Sequence, residues 1–221
     1  MATPDLLFRE TQKLTAELIA IGICTDQNFP AQVLQTDGTL TIGMPKTDRL
    51  AITLKNIPYA EAYKVIADER AYSMRFIDGG LVQILYTFRG GDLTKHRLAF
   101  FPSPDLLEYQ NNADIYDTDE LYADITALNV VTTPMRFDFD RENFVEVSHP
   151  MCHLTIGQYK NCRIPVSAPL TPHAFLRFIL SSFYNTPFSN LCSHLSVVSP
   201  RLTRTISSLE HQQLYMQACG I

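Results

Sequence analysis

Residues 135–184 decide the fold and carry the densest chemistry of the chain, and they read MRFDFDRENFVEVSHPMCHLTIGQYKNCRIPVSAPLTPHAFLRFILSSFY. Apolar and polar side chains alternate in two runs, residues 135–140 and 151–156, which are separated by a short polar loop. Because successive side chains of a strand point to opposite faces, this alternation predicts two strands that each bury one face. The almost wholly apolar run that follows at 175–184 predicts a buried helix.

Pairing the two runs as a hairpin with their apolar faces together places polar side chains together on the other face. Asp138 then lies opposite His153, and Arg136 lies opposite Thr155. Directly opposed side chains in an antiparallel pair are about 5 Å apart, which is within reach of a hydrogen bond. We expect the carboxylate to fix the tautomer of the imidazole and to raise its pKa.

This polar face admits three interpretations: a structural His–Asp pair, a catalytic or ligand-binding site, and a metal centre. His149 shares the parity of His153, although Pro150 is expected to interrupt the strand between them. A zinc ion would need His149, Cys152, His153 and Cys162 to converge on one point, and Cys152 is expected to point away from His153. The sequence therefore predicts no metal and no cofactor.

The composition indicates a chain with a substantial core and a partner. Its 221 residues are 46% hydrophobic and only 19% charged, whereas about a quarter of the residues of a typical domain are charged. A soluble monomer normally covers itself with more charge. We therefore expect part of the surface to be buried against a partner protein or in a homo-oligomer.

The net charge of -5 is unevenly distributed along the chain. Acidic side chains greatly outnumber basic ones in residues 103–140, whereas basic side chains are in excess after residue 140. A broad nucleic-acid footprint is therefore not evident. A local basic groove for nucleic acid remains open, and so does a pairing of the acidic segment with a basic partner.

Cysteine usage and hydropathy predict a cytoplasmic protein. The five cysteines are odd in number, scattered, and lack a C-x-x-C pair, which favours reduced thiols. The N-terminus has no basic segment followed by an apolar one, so no signal peptide is predicted. No apolar run approaches the roughly 20 residues of a membrane span, so no membrane association is predicted.

Turn and cap signals predict an α+β fold: a mainly antiparallel twisted sheet with the N-terminal helix and the 175–184 helix packed on one face. The predicted helices are 3–22, 58–71 (with Ala60, Tyr63 and Ala67 along one side), 118–127 and 200–219. The predicted strands outside the central hairpin are 31–34, 39–43, 50–54, 72–77, 81–88 and 94–101.

We expect residues 1–221 to form one domain. Residues 1–70 would supply the N-terminal helix and small strands, residues 71–190 the core sheet and buried helix, and residues 191–221 a C-terminal helix. Pro187 is expected to end the buried helical segment, and its single charge, Arg177, is expected to need a carboxylate or a bound anion as its partner. The hairpin 81–101 leaves Gln83, Arg89, Lys95 and Arg97 on one face, which is either a solvated face or the floor of an anion-binding surface.

Three motifs carry a resemblance: HRLAFFPSP at 96–104, HPxxHLxxG at 149–157, and CRIP at 162–165 with its apolar sequel at 175–184. Together they resemble a bacterial family designated domain of unknown function 2290, over roughly residues 70–190. The resemblance implies a bacterial cytosolic protein and carries no activity. A weaker similarity is to small toxins of toxin–antitoxin pairs, which also place an arginine-rich strand before a His-Pro…His strand. Thr155 stands here where a further His would strengthen that likeness.

Two functional hypotheses follow. The first is a non-catalytic or accessory subunit of a multi-protein bacterial module that binds a partner protein, with defence against phage as one role for such a module. It depends on the low charge, the many aromatic residues, the acidic segment and the absence of a complete catalytic motif, while the family resemblance alone suggests the module.

The second hypothesis is a metal-independent ribonuclease-type toxin or effector, and whether the protein is an enzyme stays open. His153 would act as general base or acid, oriented by Asp138, with His149 as the second proton-transfer group. The cations that would stabilise the charged phosphate are Arg136, Arg163 and Lys160.

Overall fold

The structure, a computed structural model, describes residues 3–44, 57–106, 114, 118–125, 132–159, 161–192, 194–197 and 202–218. Its helices are α1 (Pro4–Ile21), α2 (Tyr59–Asp68), α3 (Pro172–Phe183) and α4 (Asn185–Leu191). Its strands are β1 (Cys24–Gln27), β2 (Ala31–Leu34), β3 (Thr39–Gly43), β4 (Met74–Phe76), β5 (Leu81–Arg89), β6 (Asp92–Phe101), β7 (Met135–Asp140), β8 (Cys152–Ile156) and β9 (Ile164–Pro165).

The nine strands of the described residues form one antiparallel sheet in the order β1-β4-β5-β6-β7-β8-β9. Strand β5 is long enough to pair with β4 at its start and with β3 at its end, and β2 continues the sheet beyond β3. Most neighbours in the sheet are also neighbours in sequence, and β2–β3, β4–β5 and β5–β6 are joined by short turns. The predicted α+β class with a mainly antiparallel sheet is confirmed.

The registers of the two central hairpins are those that side-chain alternation predicts. In β5–β6, Val82 pairs with Phe100, and the turn uses Gly90 and Gly91, both at positive φ, as a tight two-residue hairpin turn requires. In β7–β8, Asp138 pairs with His153, as predicted. In β7 and β8, the apolar side chains consequently collect on one face of the sheet, and Arg136, Asp138 and His153 lie on the other.

Helices α1 and α3 cover the apolar face of the sheet, as predicted. The Phe137 ring packs against Phe175 and Phe178, with ring centroids 6.0 Å and 5.4 Å apart. Helix α1 contributes a fully buried stripe that includes Leu7, Leu14 and Leu18. The two helices are joined where the buried carboxylate of Glu10 accepts a hydrogen bond from the His173 backbone N–H at 3.3 Å.

Helix α2 lies on the opposite face, at one end of the sheet, in a second apolar cluster that includes Leu81 and Phe101. Its buried residues are Ala62, Tyr63 and Ile66. The predicted apolar side was therefore wrong in part, since Ala60 is exposed. Alanine is small and contributes little to the hydrophobic pattern of a helix. The larger Ile66 determines which side of α2 is buried against the sheet.

The helix around Arg177 is less buried than the sequence predicts. Arg177 is exposed, and its guanidinium lies over the ring of Phe188, 5.6 Å from the centroid. The expected carboxylate or bound anion is therefore not required, because water and an aromatic face solvate the charge. Pro187 does not end the helical segment either, since it lies in the first turn of α4, where its missing N–H has no intrahelical partner to lose.

The predicted final helix at 200–219 is wrong for the residues that the structure describes. Residues 202–218 are irregular apart from a 3₁₀ turn at Glu210–Gln212. Their backbone groups bind the segment after β9 instead: Met216 donates to Pro165 O at 2.8 Å, and Ser167 donates to Met216 O at 2.9 Å. Threonine and serine at 203, 205, 207 and 208 also favour turns over helix.

Two further predictions fall on the acidic segment and an early strand. Within 118–125, Thr118 is helical and Glu120–Tyr122 form a 3₁₀ turn, and residues 126–127 lie outside the described residues. The predicted strand 50–54 also lies outside them.

The packing of Phe137 between the sheet and α3 can be tested by truncation. Phe137→Ala should lower the free energy of unfolding by about 3–5 kcal/mol, because it removes a 1% exposed ring and leaves a cavity. Urea denaturation followed by circular dichroism measures the change. The matched control is Phe29→Ala, since Phe29 is 50% exposed and its loss should cost less than about 1 kcal/mol. Equal losses for the two variants would contradict the assignment of the core face.

Candidate functional site

A groove of about 1200 Å³ lies on the face of the sheet opposite α1 and α3. Its floor consists of outward-facing side chains of β5 to β8, and its walls include the loop 141–151 and residues 157–159 and 162–163. All five predicted site residues line it: Arg136, Asp138, His149, His153 and Arg163. Lys160, predicted as an additional cation, lies outside the described residues.

Asp138 is the centre of the floor. Arg97 on β6 and His153 on β8 are its register partners on the two sides. Arg97 Nε donates to Asp138 Oδ1 at 3.3 Å, and Arg136 Nε donates to Oδ2. A carboxylate that is only 14% exposed is thereby neutralised by two guanidinium groups.

These contacts set the charge state of Asp138. Burial by itself would raise the pKa of Asp138, but the charges of Arg136 and Arg97 outweigh it and hold that pKa below its usual range. Asp138 is therefore ionised at neutral pH. Each arginine uses its Nε on the carboxylate, and the guanidinium has five N–H donors in all, so the terminal nitrogens can serve an anionic ligand.

His153 is held by a different partner from the one predicted. Its Nδ1 donates to Pro150 O at 2.9 Å, so a neutral ring has its lone pair on Nε2. That Nε2 lies 4.0 Å from Asp138 Oδ2, which is an electrostatic contact rather than a hydrogen bond. The backbone carbonyl of Pro150, and not Asp138, therefore fixes the tautomer.

The predicted direction of the His153 pKa shift is also wrong. Burial lowers the pKa of His153 below its ordinary value, and the nearby charge of Arg163 acts in the same direction. The charge of Asp138 and the bond to Pro150 oppose this shift but do not overcome it. His153 is consequently neutral at pH 7, with an unprotonated Nε2 facing the carboxylate.

His149 and Arg163 complete the groove from outside the strands. The rings of His149 and His153 are 5.0 Å apart between centroids and tilted by 57°. His149 Nδ1 contacts the carbonyl of Asn143, which leaves Nε2 as its other functional nitrogen. Arg163 Nη1 donates to Ser148 O at 3.1 Å and so lies against the turn that carries His149.

The described lining of the groove has more positive than negative charge. Its cations are Lys95, Arg97, Arg136 and Arg163, and its carboxylates are Asp138 and Asp140. Lys95 is engaged at the rim, where it lies 2.8 Å from Glu142 and 3.6 Å from Asp140. A groove of this kind attracts anions, and a phosphate group is the natural partner of several guanidinium donors.

The zinc alternative is not compatible with the positions of the cysteines. Cys152 lies in the core on the opposite face of the sheet from His153 and donates to Ala168 O at 3.2 Å. The Cys162 Sγ accepts a hydrogen bond from Ile156 N at 3.4 Å. Among the residues placed by the structure, no three His, Cys, Asp or Glu side chains form a group that could hold a metal ion.

Sequence reasoning missed two members of the site. Arg97 is predicted on one face of the 81–101 hairpin, either a solvated face or an anion-binding floor, but not as a neighbour of Asp138, although its parity and the chain order β6-β7-β8 place it there. Tyr159 lines the groove and is 76% exposed. Its signal was weak, because it follows Gly157, at positive φ, after the end of the strand.

Comparison with known families places this chain in one of them. The model of the family described as "Uncharacterized conserved protein (DUF2290)" matches residues 23–218. The chain belongs to that family, and the match extends well beyond the residues 70–190 on which the resemblance was seen. All five predicted site residues and Arg97 lie within the matched range.

The other comparisons add no relative. No curated protein matches the chain significantly. No solved structure matches it significantly either. A separate observation concerns the helices: none in the described part of the chain is both long enough and apolar enough to cross a membrane.

The charge balance around Asp138 predicts a pH-dependent stability difference. Asp138→Asn should lower the free energy of unfolding at pH 7 by about 1.5–3 kcal/mol, because it removes charged hydrogen bonds and leaves two arginines without their counterion. The folded-state pKa of Asp138 is depressed, so its contribution is present above the unfolded value of about 3.9 and is lost as the pH falls below it.

Urea titrations of both proteins between pH 3 and pH 7 measure this difference. The control is Asp68→Asn, which removes a carboxylate that is 62% exposed and paired only with Lys64 on α2. It should produce no comparable pH-dependent difference. A constant difference for Asp138→Asn across the whole range would show that its charge is not what stabilises the floor.

Proposed function

We propose that the groove binds single-stranded RNA and cleaves it without a catalytic metal ion, with two histidines acting as general base and general acid. The observation that supports this most directly is the pair of imidazole rings 5.0 Å apart in a groove whose described cations outnumber its carboxylates. Two such groups can serve as base and acid in one phosphodiester cleavage, and the guanidinium groups can stabilise the phosphate.

In the proposed reaction, His153 Nε2 takes the proton of a ribose 2′-hydroxyl. The 2′-oxygen attacks phosphorus, the bond from phosphorus to the 5′-oxygen breaks, and His149 gives a proton to that oxygen. The products are a 2′,3′-cyclic phosphate and a 5′-hydroxyl. The imidazolium formed at His153 lies beside Asp138, whose charge stabilises it.

RNA is favoured over other phosphate esters by two features of the site. The general base is neutral at pH 7, as activation of a 2′-hydroxyl requires, because burial lowers the pKa of His153. Tyr159 exposes its ring at the groove, and exposed aromatic rings are the usual stacking surface for unpaired bases.

Replacement of the two histidines tests the proposal. His153→Gln and His149→Ala should each lower the cleavage rate of a single-stranded RNA oligonucleotide at least about 100-fold, the usual contribution of a general acid or base. A 2′-deoxy nucleotide at the cleaved position should block the reaction. Because the pKa of His153 is lowered, the acid limb of the wild-type pH–rate profile should lie below about 6.5.

The matched control is His194→Ala, which removes an exposed histidine that does not line the groove. It should cleave at the wild-type rate. His153→Gln is used in place of alanine because His153 is only 3% exposed, and circular dichroism must show that the variant is folded. Intact RNA after incubation with the wild-type protein, or full activity of folded His153→Gln, would refute the proposal.

A second candidate is an accessory subunit of a cytoplasmic, multi-protein bacterial module, for which defence against phage is the proposed role. Apolar side chains exposed at one end of the sheet support it: Phe29 is 50%, Val33 42% and Leu34 72% exposed, on and just before β2. Exposed apolar side chains grouped along one segment are typical of a surface that another protein covers.

Co-expression with the product of a neighbouring gene tests this second candidate. Leu34→Ser should abolish co-purification of that product, because the substitution removes the most exposed apolar side chain of the segment. Leu191→Ser, at a 42% exposed position on α4, is the control and should retain it. A monomer in light scattering that is fully active without any partner would exclude the accessory role.

A further inference from the structure

The C-terminal segment places a buried carboxylate against the turn that carries His149. Glu210 is 1% exposed. Its Oε1 accepts a hydrogen bond from the Val147 backbone N–H at 3.2 Å, and its Oε2 accepts one from the Ser207 backbone N–H at 3.0 Å. Glutamate is almost never fully buried without such partners. The bond to Val147 therefore joins two segments that are 63 residues apart in sequence, while the bond to Ser207 is local.

The turn itself has an unusual backbone. Val147 has a φ of 68°, a conformation that a β-branched residue rarely adopts. Val145 and His149 close the turn by exchanging backbone hydrogen bonds of 3.0 Å and 2.7 Å. The proton-transfer group His149 thus lies two residues from a strained position, and the Val147 N–H exposed by that conformation is the group that Glu210 binds.

We infer that Glu210 is a positioning residue for His149, acting through the backbone of the 145–149 turn, and this inference rests on the function proposed for the groove. The carboxylate of Glu210 holds Val147 at positive φ, and the closed turn then fixes His149 beside His153. The same turn presents Ser148 O to Arg163, so one contact sets two members of the site.

Loss of this contact should affect the chemical step more than RNA binding. Without the carboxylate oxygen, Val147 can relax to negative φ, and His149 moves relative to the phosphodiester. A displacement of about 1 Å can cost on the order of 100-fold in rate. The floor cations Arg97 and Arg136 are held by Asp138 and do not depend on the turn.

The test is Glu210→Gln, whose amide group cannot accept both backbone N–H bonds as the carboxylate does. We expect kcat for RNA cleavage to fall about 10- to 100-fold, with KM changed less than about threefold. The His149 imidazole signals should shift in NMR spectra. Adding Val147→Gly should restore most of the rate, because glycine adopts positive φ without the steric cost that the valine side chain imposes.

The control is Glu146→Gln, the same chemical change at an exposed position of the same turn, which should leave kcat unchanged. Glu210→Asp, which keeps the charge but shortens its reach to Val147, is judged by the same readouts if Glu210→Gln fails to fold. A wild-type protein that does not cleave RNA would refute only the proposed function. The His149 NMR signals would still test whether Glu210 positions the 145–149 turn. Unchanged kcat and unchanged His149 signals in a folded Glu210 variant would overturn the inference. It would also be overturned if Val147→Gly did not restore the kcat and the signals that the Glu210 substitution had altered.

Discussion

The site depends on one row of residues across three antiparallel strands: Arg97 on β6, Asp138 on β7 and His153 on β8. Side chains alternate along each strand, so a slip of one residue in either pairing would move one member of the row into the core. The apolar side chains on the other face prevent this slip, since Phe137 packs against α3. The burial of the core therefore also holds the polar row in register.

Within this row, charge pairing determines the protonation state of Asp138, and burial determines that of His153. Two guanidinium groups satisfy the carboxylate and keep it ionised despite its burial. At His153, burial outweighs the opposing charge of Asp138, so the pKa of the imidazole is lowered and the ring stays neutral. An isolated Asp–His pair would have had the opposite effect, and a neutral imidazole beside a carboxylate is suited to accept a proton.

The sequence predicts those parts of the structure that local periodicity determines. The register of Asp138 with His153 and the side of the sheet that α1 and α3 cover both follow from alternation and helical spacing. The direction of the His153 pKa shift does not, because it depends on the burial of the imidazole in the folded groove, which the hairpin pattern does not specify. The irregular segment 202–218 was also not predictable, since several of its backbone bonds go to Pro165 and Ser167, far away in sequence.

The two histidines of the groove are consequently fixed by different means. His153 belongs to a strand whose position is set by ladder hydrogen bonds on both sides. His149 lies in a turn outside the strands, and its geometry rests on a few contacts, among them the bond from Val147 N–H to Glu210. A reaction that needs both imidazoles therefore depends on residues at the end of the chain as much as on the sheet. The buried carboxylate of Glu210 lies outside the groove, and yet it binds the turn that carries His149.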